Sequence, residues 1–191
     1  DRHGEGYGLN IAAIEQIASR AKLLITVDCG ITAVSETEYA RSLGVDLVIT
    51  DHHECREVLP EAVAVINPHR PDCPYPFKEL AGAGVCFKMV CAIEGNSEKI
   101  LNEYGEYVAL ATVADVVSLS GENRTLVRFG MEKMKNSFIP WFDALCAVSG
   151  IEKQNITSYH IGFMLSPRLN AAGRLGSAYT ALKLLLCDDF L

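Results

Sequence analysis

Five residues of the 191-residue chain combine side chains that can hold a metal ion with apolar surroundings. Asp28 follows the apolar run 23–27, and Asp51-His52-His53 follows the apolar run 46–50. Asp115 lies among small apolar residues. An isolated charge is costly to bury, so each of these carboxylates must be paired, hydrogen-bonded or metal-bound. The five side chains are therefore candidates for one divalent-metal site.

The mixture of ligand types indicates the metal and the chemistry. Imidazole suits Mn, Fe, Co or Zn, and carboxylates add a preference for hard ions such as Mn²⁺ or Mg²⁺. Two ions bridged by a carboxylate can generate hydroxide near neutral pH and stabilise charge on a phosphate group. The chain carries neither a Walker glycine loop nor a Ser-His-Asp order, so no competing mechanism is indicated. The expected reaction is hydrolysis of phosphate esters.

Each candidate also has a simpler explanation. Asp28 could cap the following helix, Asp115 could cap the next segment, and a lone His-His pair is commonly a solvent-exposed feature. On an extended backbone His52 and His53 would point in different directions, so we expect them to have separate roles. The metal site is favoured because the polar residues follow two neighbouring strands.

Those strands predict the fold class. Three apolar runs, 23–27, 46–50 and 62–66, end at Asp28, Asp51 and Asn67. A helix expected at 33–43 and closed by Gly44 joins the first two runs, which gives a right-handed β-α-β unit. Continuous apolar strands predict a parallel sheet buried on both faces. In open sheets of this kind, ligands bind beyond the carboxyl ends of the strands.

The rest of the chain predicts mostly helices. They are expected at 9–20, 82–93, 97–117, 123–135, 138–149 and 178–187, and the proline-rich stretch 67–79 is expected to be an ordered surface loop. The fold class is thus α/β, a parallel sheet flanked by helices and followed by a mostly helical segment. We place the α/β core at 1–120 and the helical segment at 121–191.

Composition restricts the class of protein. A hydrophobic content of 49% and a charged content of 21% are typical of a globular domain. No signal peptide or long apolar span is visible, and none of the seven cysteines forms a Cys-x-x-Cys pair, so we expect reduced thiols, a cytoplasmic location and no membrane. Residues 1–123 carry 9 basic and 19 acidic side chains, whereas residues 124–191 carry 8 and 5. A mildly basic half could meet phosphates.

Taken together, the motifs resemble the DHH phosphoesterase family and, within it, the RecJ-like single-strand-specific exonucleases. The resemblance is carried by the segments 5–9, 26–30, 50–53, 67–68, 75–78, 80–85, 113–117, 122–124 and 167–174. These segments occur in the family's order and cover nearly the whole chain. The resemblance implies a Mn²⁺- or Mg²⁺-dependent enzyme with a two-metal site, which degrades single-stranded DNA from its 5′ end in DNA repair and recombination.

The resemblance also implies a role for each residue of the metal site. Asp28 would bridge two metal ions, and His52 and Asp115 would complete the shell of one of them. His53 would face the substrate phosphate. Asp51 would support the two histidines without binding metal itself.

Further residues would contact the substrate. Gly82 and Gly84 would allow the backbone to come close to the site. Arg168 and Arg174 would meet DNA phosphates, with Asn170 nearby, although a basic residue near a helix start is more often simply solvated. Stacking of bases on aromatic side chains is an open alternative to packing for three residues: Tyr75, Phe77 and Tyr179. A single-strand-binding protein or a helicase is an expected protein partner.

The chain also departs from the family. Members carry an Asp-x-Asp motif on an earlier strand and a C-terminal substrate-binding domain, and this chain begins after the first and ends before the second. We therefore expect a fragment that is weakly active or inactive, and Ser118 stands where proline is usual. The alternatives are another DHH hydrolase, acting on nano-RNA, a cyclic dinucleotide or pyrophosphate, or a non-catalytic DNA-binding scaffold. Segments 75–78 and 167–174 favour the exonuclease, and the retained ligands argue against a scaffold.

Overall fold

The computed structural model describes residues 8–175 and 177–187 of the chain. Within them, one compact unit ends at Ile100 and a second begins at Leu101. The division falls inside helix α4 (Ser97–Ala114), earlier than the boundary near residue 120, which stays a prediction. Residues 5–7 of the family-like segment 5–9 and the last residues of the segment 121–191 lie outside the described residues.

The first unit contains a three-stranded parallel sheet, as the apolar runs predicted. The strands are β1 (Leu23–Val27), β2 (Asp46–Thr50) and β3 (Ala64–Ile66), and their order is β1-β2-β3. Val27 lies opposite Thr50, and Thr50 lies opposite Ile66. The last residues of the three strands are therefore in register, and the segments that follow them leave the sheet at the same edge.

Helices α1 (Ile11–Ala18), α2 (Val34–Ser42) and α3 (Gly82–Glu94) belong to this unit and lie where the sequence predicted them. Asn10 caps α1, because its side-chain oxygen accepts a hydrogen bond from the Ala13 N–H at 2.8 Å. The helices α1 and α2 bury a small core formed by Ile14, Ala40 and Val45. The crossover through α2 thus connects β1 to β2 as expected.

The prediction that the sheet is buried on both faces was wrong for β1. Leu23, Ile25 and Val27 are 52%, 44% and 47% exposed, and they share one face of the strand. In contrast, Leu47 and Ile49 of β2 are almost completely buried. An apolar sequence predicted the strand correctly but not its burial, since burial depends on which elements pack over each face.

The second unit is helical. Besides most of α4, its elements are α5 (Gly121–Asn136), α6 (Pro140–Ser149), a 3₁₀ turn (Lys153–Asn155), α7 (Ser158–His160), a π-helical turn (Ile161–Leu165), α8 (Ser166–Leu175) and α9 (Ala178–Leu185). Its core includes the fully buried side chains of Trp141, Phe142, Met134, Ile156, Ile161 and Leu165. Across the described part of the chain, no helix is long and apolar enough to cross a membrane.

Helical structure from Ser158 to Leu175 was not predicted, because Pro167 normally interrupts a helix. A π-helical turn ends at Leu165, and Pro167 is the second residue of the α-helix that follows, where proline is tolerated. Ser166 donates two hydrogen bonds to the Ile161 carbonyl oxygen, one from its N–H and one from its Oγ at 2.7 Å. The Ile161 carbonyl oxygen is thereby satisfied at the end of the π-helical turn.

Helices α4 and α5 approach each other closely at two glycines. A methyl group on Gly130 would overlap the carbonyl oxygen of Gly105 and the side chain of Ala109. A methyl group on Gly105 would lie 2.9 Å from the ring of Phe129. The two backbones can therefore touch only because these positions have no side chain.

We predict that Gly130→Ala lowers the free energy of unfolding by about 1–3 kcal/mol, since the added methyl group forces the two helices apart. The measurement is urea denaturation followed by circular dichroism. Gly173→Ala is the control, because its methyl group would lie 3.5 Å from the Ala178 side chain, an ordinary contact. Alanine also favours a helix over glycine by about 1 kcal/mol. Equal losses in both variants would contradict the close packing.

Candidate functional site

The turn after β1 holds Asp28 in a left-handed backbone conformation, with φ of 62°. Aspartate tolerates this conformation better than most residues. The Asp28 N–H donates to the Thr50 carbonyl oxygen at 3.0 Å, and Thr50 Oγ1 donates to the Thr26 carbonyl oxygen at 2.7 Å. Thr26 Oγ1 in turn donates to the Cys29 carbonyl oxygen at 2.7 Å. The backbone of Asp28 is thus fixed relative to the end of β2.

Asp51 is the buried centre of the second turn, with 1% of its surface exposed. Its Oδ2 accepts from the Ile31 N–H at 2.9 Å. Its Oδ1 accepts from the N–H groups of His52 and His53 at 2.7 and 3.2 Å and contacts His53 Nδ1 at 2.7 Å. Burial raises the pKa of the Asp51 carboxyl, but these hydrogen bonds together lower it below its ordinary value. Asp51 therefore binds the turns after β1 and β2 together as an ion.

The side chains of His52 and His53 converge instead of pointing apart. Their ring centroids are 4.6 Å apart, and His52 Nε2 lies 3.0 Å from Asp28 Oδ1. One ligand atom from each of Asp28, His52 and His53 can be chosen so that all three lie within 4.8 Å of one another. The expectation of divergent histidines was wrong because the chain leaves the strand at Thr50 and turns around the Asp51 carboxylate.

The hydrogen bond of His53 to Asp51 fixes which ring nitrogen can face a ligand. Because Asp51 is held as a carboxylate, it accepts a hydrogen bond, so Nδ1 of His53 must be the donor. In the neutral ring, Nε2 then carries the lone pair. The His53 side chain is 49% exposed, whereas that of His52 is only 11% exposed. His53 is thus the more accessible of the two histidines.

Gly82, the first residue of α3, makes room for the Asp28 carboxylate. A methyl group at this position would lie 2.6 Å from Asp28 Cγ and would overlap Oδ1. Only glycine fits so close to the carboxylate. At Gly84 the corresponding position faces the side chain of Leu80, 3.2 Å away, so its structural role is to let α3 pack on Leu80. Contact of Gly84 with substrate stays a prediction.

Asn67 supports the site, although the sequence indicated only its place at the end of the third strand. It is 3% exposed, and its Nδ2 donates to the His53 carbonyl oxygen at 2.9 Å. Its Oδ1 accepts from the His69 N–H at 2.8 Å. The polar residue after β3 therefore anchors the backbone of the histidine turn. An asparagine directly after an apolar strand is the sequence signal that could have indicated this role.

Asp115 belongs to the second unit and follows α4, where its N–H donates to the Ala111 carbonyl oxygen at 2.9 Å. The next residue, Val116, has φ of 61° and is 86% exposed. A β-branched residue in this conformation is strained. The strained residue directly follows Asp115. Its place in a metal shell stays a prediction.

The three residues expected to contact DNA lie on α8 in the second unit. Arg168, Asn170 and Arg174 are all exposed. Asn170 also lines a cavity of about 400 Å³, and Ala111 and Ala114 at the end of α4 line the same cavity. The structure therefore brings the middle of α8 close to the end of the helix that precedes Asp115. Contact of these three residues with DNA stays a prediction.

All seven cysteines are free thiols. Cys29 follows Asp28 directly. Burial, followed by the nearby charges of Asp51 and Asp28, raises the pKa of the Cys29 thiol. This thiol is therefore protonated near neutral pH and acts as a small apolar side chain.

Comparison of sequences identified known proteins that are similar to this chain. A model of the DHH family, N-terminal domain, matches residues 5–112. The single-stranded-DNA-specific exonuclease RecJ of Bacillus subtilis (strain 168) is 42% identical over 190 residues, covering 99% of this chain and 24% of that protein. RecJ of Escherichia coli (strain K12) is 40% identical, covering 99% and 35%. The chain thus spans about a quarter to a third of the length of these relatives.

Solved structures gave a consistent result. A crystal structure of exonuclease RecJ bound to manganese has a TM-score of 0.84 and 34% sequence identity, covering 99% of this chain and 48% of that one. RecJ from Thermus thermophilus in complex with Mn²⁺ has a TM-score of 0.80 and 32% identity, covering 95% and 27%. These similarities agree with the α/β class and with the parallel sheet described above.

We predict that Asp51→Ala lowers the free energy of unfolding at pH 7 by about 1–3 kcal/mol, because several N–H groups lose their acceptor. The carboxyl's pKa is lowered in the folded protein from an ordinary 3.8, so its stabilising effect is complete above that value and is lost as the pH falls through the folded pKa. The difference in urea midpoint between wild type and variant should therefore shrink below about pH 4. A difference that is independent of pH would contradict the ionised role of Asp51.

Proposed function

The chain belongs to the DHH family, and on this premise we propose that it forms the catalytic part of a metal-dependent phosphodiesterase that removes nucleotides from the 5′ end of single-stranded DNA. One observation carries the proposal: Asp28, His52 and His53 converge at the carboxyl edge of the parallel sheet. The relatives named as single-stranded-DNA-specific exonucleases support the choice of substrate over a small dinucleotide or pyrophosphate.

The residues present fit a divalent metal ion. The side chain of Asp28 is 46% exposed, but its Oδ1 is shielded from solvent and faces His52 Nε2. A shielded carboxylate oxygen beside a ring nitrogen is a donor set that Mn²⁺ accepts well. The absence of a side chain at Gly82 makes room for the carboxylate in this position. We propose Asp28 and His52 as metal ligands, with Asp115 completing the shell.

A bound divalent ion would supply hydroxide near neutral pH and stabilise the negative charge that develops on the phosphate. The chain's own residues would do the rest. Asp51 holds His52 and His53 in place through its hydrogen bonds to both N–H groups. The exposed ring of His53 donates from Nδ1 to Asp51, and in its protonated form the other nitrogen also carries a hydrogen, which would donate to a phosphate oxygen.

The substrate would extend beyond the metal cluster. Arg168, Asn170 and Arg174 are proposed to contact DNA phosphates, as the resemblance implied. Their exposure on one helix supports this role.

For the whole protein we propose single-stranded DNA as the substrate, a single-strand-binding protein or a helicase as a partner, a cytoplasmic location, and a function in DNA repair and recombination.

We predict that Gly82→Ala weakens Mn²⁺ binding at least about tenfold, since the methyl group displaces the Asp28 carboxylate from the position described. Isothermal titration calorimetry of the chain with Mn²⁺ provides the measurement. Gly84→Ala is the matched control, because the neighbouring glycine of the same helix faces the flexible Leu80 side chain instead of the carboxylate. If both variants bound Mn²⁺ like the wild type, Asp28 would not be the ligand.

The activity is tested with a 5′-labelled oligonucleotide, offered as a single strand and as a blunt duplex, in the presence of Mn²⁺. We expect slow release of labelled nucleotides from the single strand only, in keeping with the weak activity expected of this chain, and no detectable release by Asp28→Ala. Ser35→Ala, an exposed substitution on α2, is the control for any loss of activity that comes from preparing a variant protein and not from removing a metal ligand. Hydrolysis that survives in Asp28→Ala, or equal hydrolysis of the duplex, would contradict the proposal.

A further inference from the structure

The segment 153–187 has an unusual charge for this chain. It contains four basic side chains, Lys153, Arg168, Arg174 and Lys183, and no acidic side chain. The whole chain has a net charge of −7, so this absence of acidic residues stands out against the rest of the sequence. Lys153 is paired with Asp143, so the excess positive charge comes from Arg168, Arg174 and Lys183, and such an excess attracts polyanions.

The same segment presents two stacked aromatic rings to solvent. The ring centroids of Tyr159 and Phe163 are 5.1 Å apart, with an angle of 30° between the rings. The two side chains are 62% and 72% exposed, although large apolar rings usually gain most from burial. We call these two residues the aromatic pair. Phe163 lies within the π-helical turn, a feature that often occurs at functional sites.

The aromatic pair lies close to cationic and catalytic candidates of the same unit. The guanidinium of Arg168 donates to the carbonyl oxygen of Met164, the residue after Phe163. Gly162, the residue before Phe163, packs on Val113, since a methyl group at Gly162 would lie 3.6 Å from Val113 Cγ1. Val113 precedes the proposed metal ligand Asp115 by two residues. The pair is therefore carried by a turn that rests on the end of the helix leading to Asp115.

We propose that the aromatic pair is a stacking platform for the bases of single-stranded nucleic acid and that Arg168 binds the phosphate backbone beside it. The inference rests on the proposed function and adds a substrate-binding site to it. Unpaired bases stack readily on exposed aromatic side chains whatever their sequence, whereas the bases of a duplex are already stacked on each other. The absence of acidic residues across the segment favours a polyanion over an acidic or neutral protein surface.

The test measures binding without catalysis. Fluorescence anisotropy in EDTA compares an oligothymidylate of about twelve nucleotides with an abasic strand of the same length, which keeps the phosphates but lacks bases. We expect the double variant Tyr159→Ala/Phe163→Ala to bind oligothymidylate at least about tenfold more weakly and the abasic strand as the wild type does. Tyr159→Phe/Phe163→Tyr should restore binding, because stacking requires only the rings.

Two controls separate stacking from other effects. Phe138→Ala removes a ring of similar exposure, 68%, in the same unit, and should leave binding of oligothymidylate unchanged. Arg168→Ala should weaken binding of both strands equally and reduce its dependence on salt concentration. Circular dichroism and urea denaturation verify that each variant is folded, which the exposure of the substituted rings leads us to expect.

Three outcomes of the binding measurements would overturn the platform. They are failure of the wild type to bind oligothymidylate, equal loss in the double variant and in Phe138→Ala, and equal loss for the abasic strand. A double variant that instead changed self-association in analytical ultracentrifugation would assign the pair to a contact between protein copies. Because binding is measured in EDTA, a negative result in this experiment does not contradict Mn²⁺-dependent hydrolysis by the metal site. Loss of hydrolysis in the other experiment likewise does not affect the platform.

Discussion

The buried carboxylate of Asp51 holds the candidate site together, because it is the acceptor for N–H groups from two separate turns. One of these groups belongs to Ile31, after β1, and the others belong to the histidine turn after β2. A buried ion is unfavourable unless its hydrogen-bonding capacity is filled, and here it is filled by the chain itself. The parallel register of the strands brings the two turns to the same edge, and Asp51 then fixes their relative position.

Other features of the first unit follow from this arrangement. With its ring nitrogen bound to Asp51, His53 cannot rotate freely, and Asn67 holds its carbonyl oxygen from the neighbouring strand end. Asp28 adopts a left-handed backbone conformation, and the absence of a side chain at Gly82 leaves room for the Asp28 carboxylate. Both features lower stability locally and are typical of sites where geometry matters more than packing. These locally destabilising features occur at the edge of the sheet where a metal would bind.

The sequence predicted the sheet, its direction and the edge that carries the polar residues, because apolar runs and their endpoints encode these features directly. It did not predict that His52 and His53 converge, since that depends on the turn around Asp51 and not on the strand. The exposed face of β1 was missed because a run such as 23–27 has the same sequence pattern whether or not its face is covered. The helix α8 was missed because Pro167 suggests a break, whereas proline is tolerated in the first turn of a helix, where α8 places it. Isolated aromatics such as Phe163 have no pattern that separates exposed from buried positions.

Pulsed electron paramagnetic resonance of Mn²⁺ bound to the chain tests the central claim most directly, since it detects imidazole nitrogen coordinated to the ion. The arrangement of Asp28, His52 and His53 predicts a nitrogen coupling to the bound ion. That coupling should disappear in His52→Ala, whose ring faces the Asp28 carboxylate at 3.0 Å, and should persist in His69→Ala, a substitution outside the cluster. A spectrum with oxygen ligands alone in the wild type, or one unchanged in His52→Ala, would contradict a metal site at this edge of the sheet.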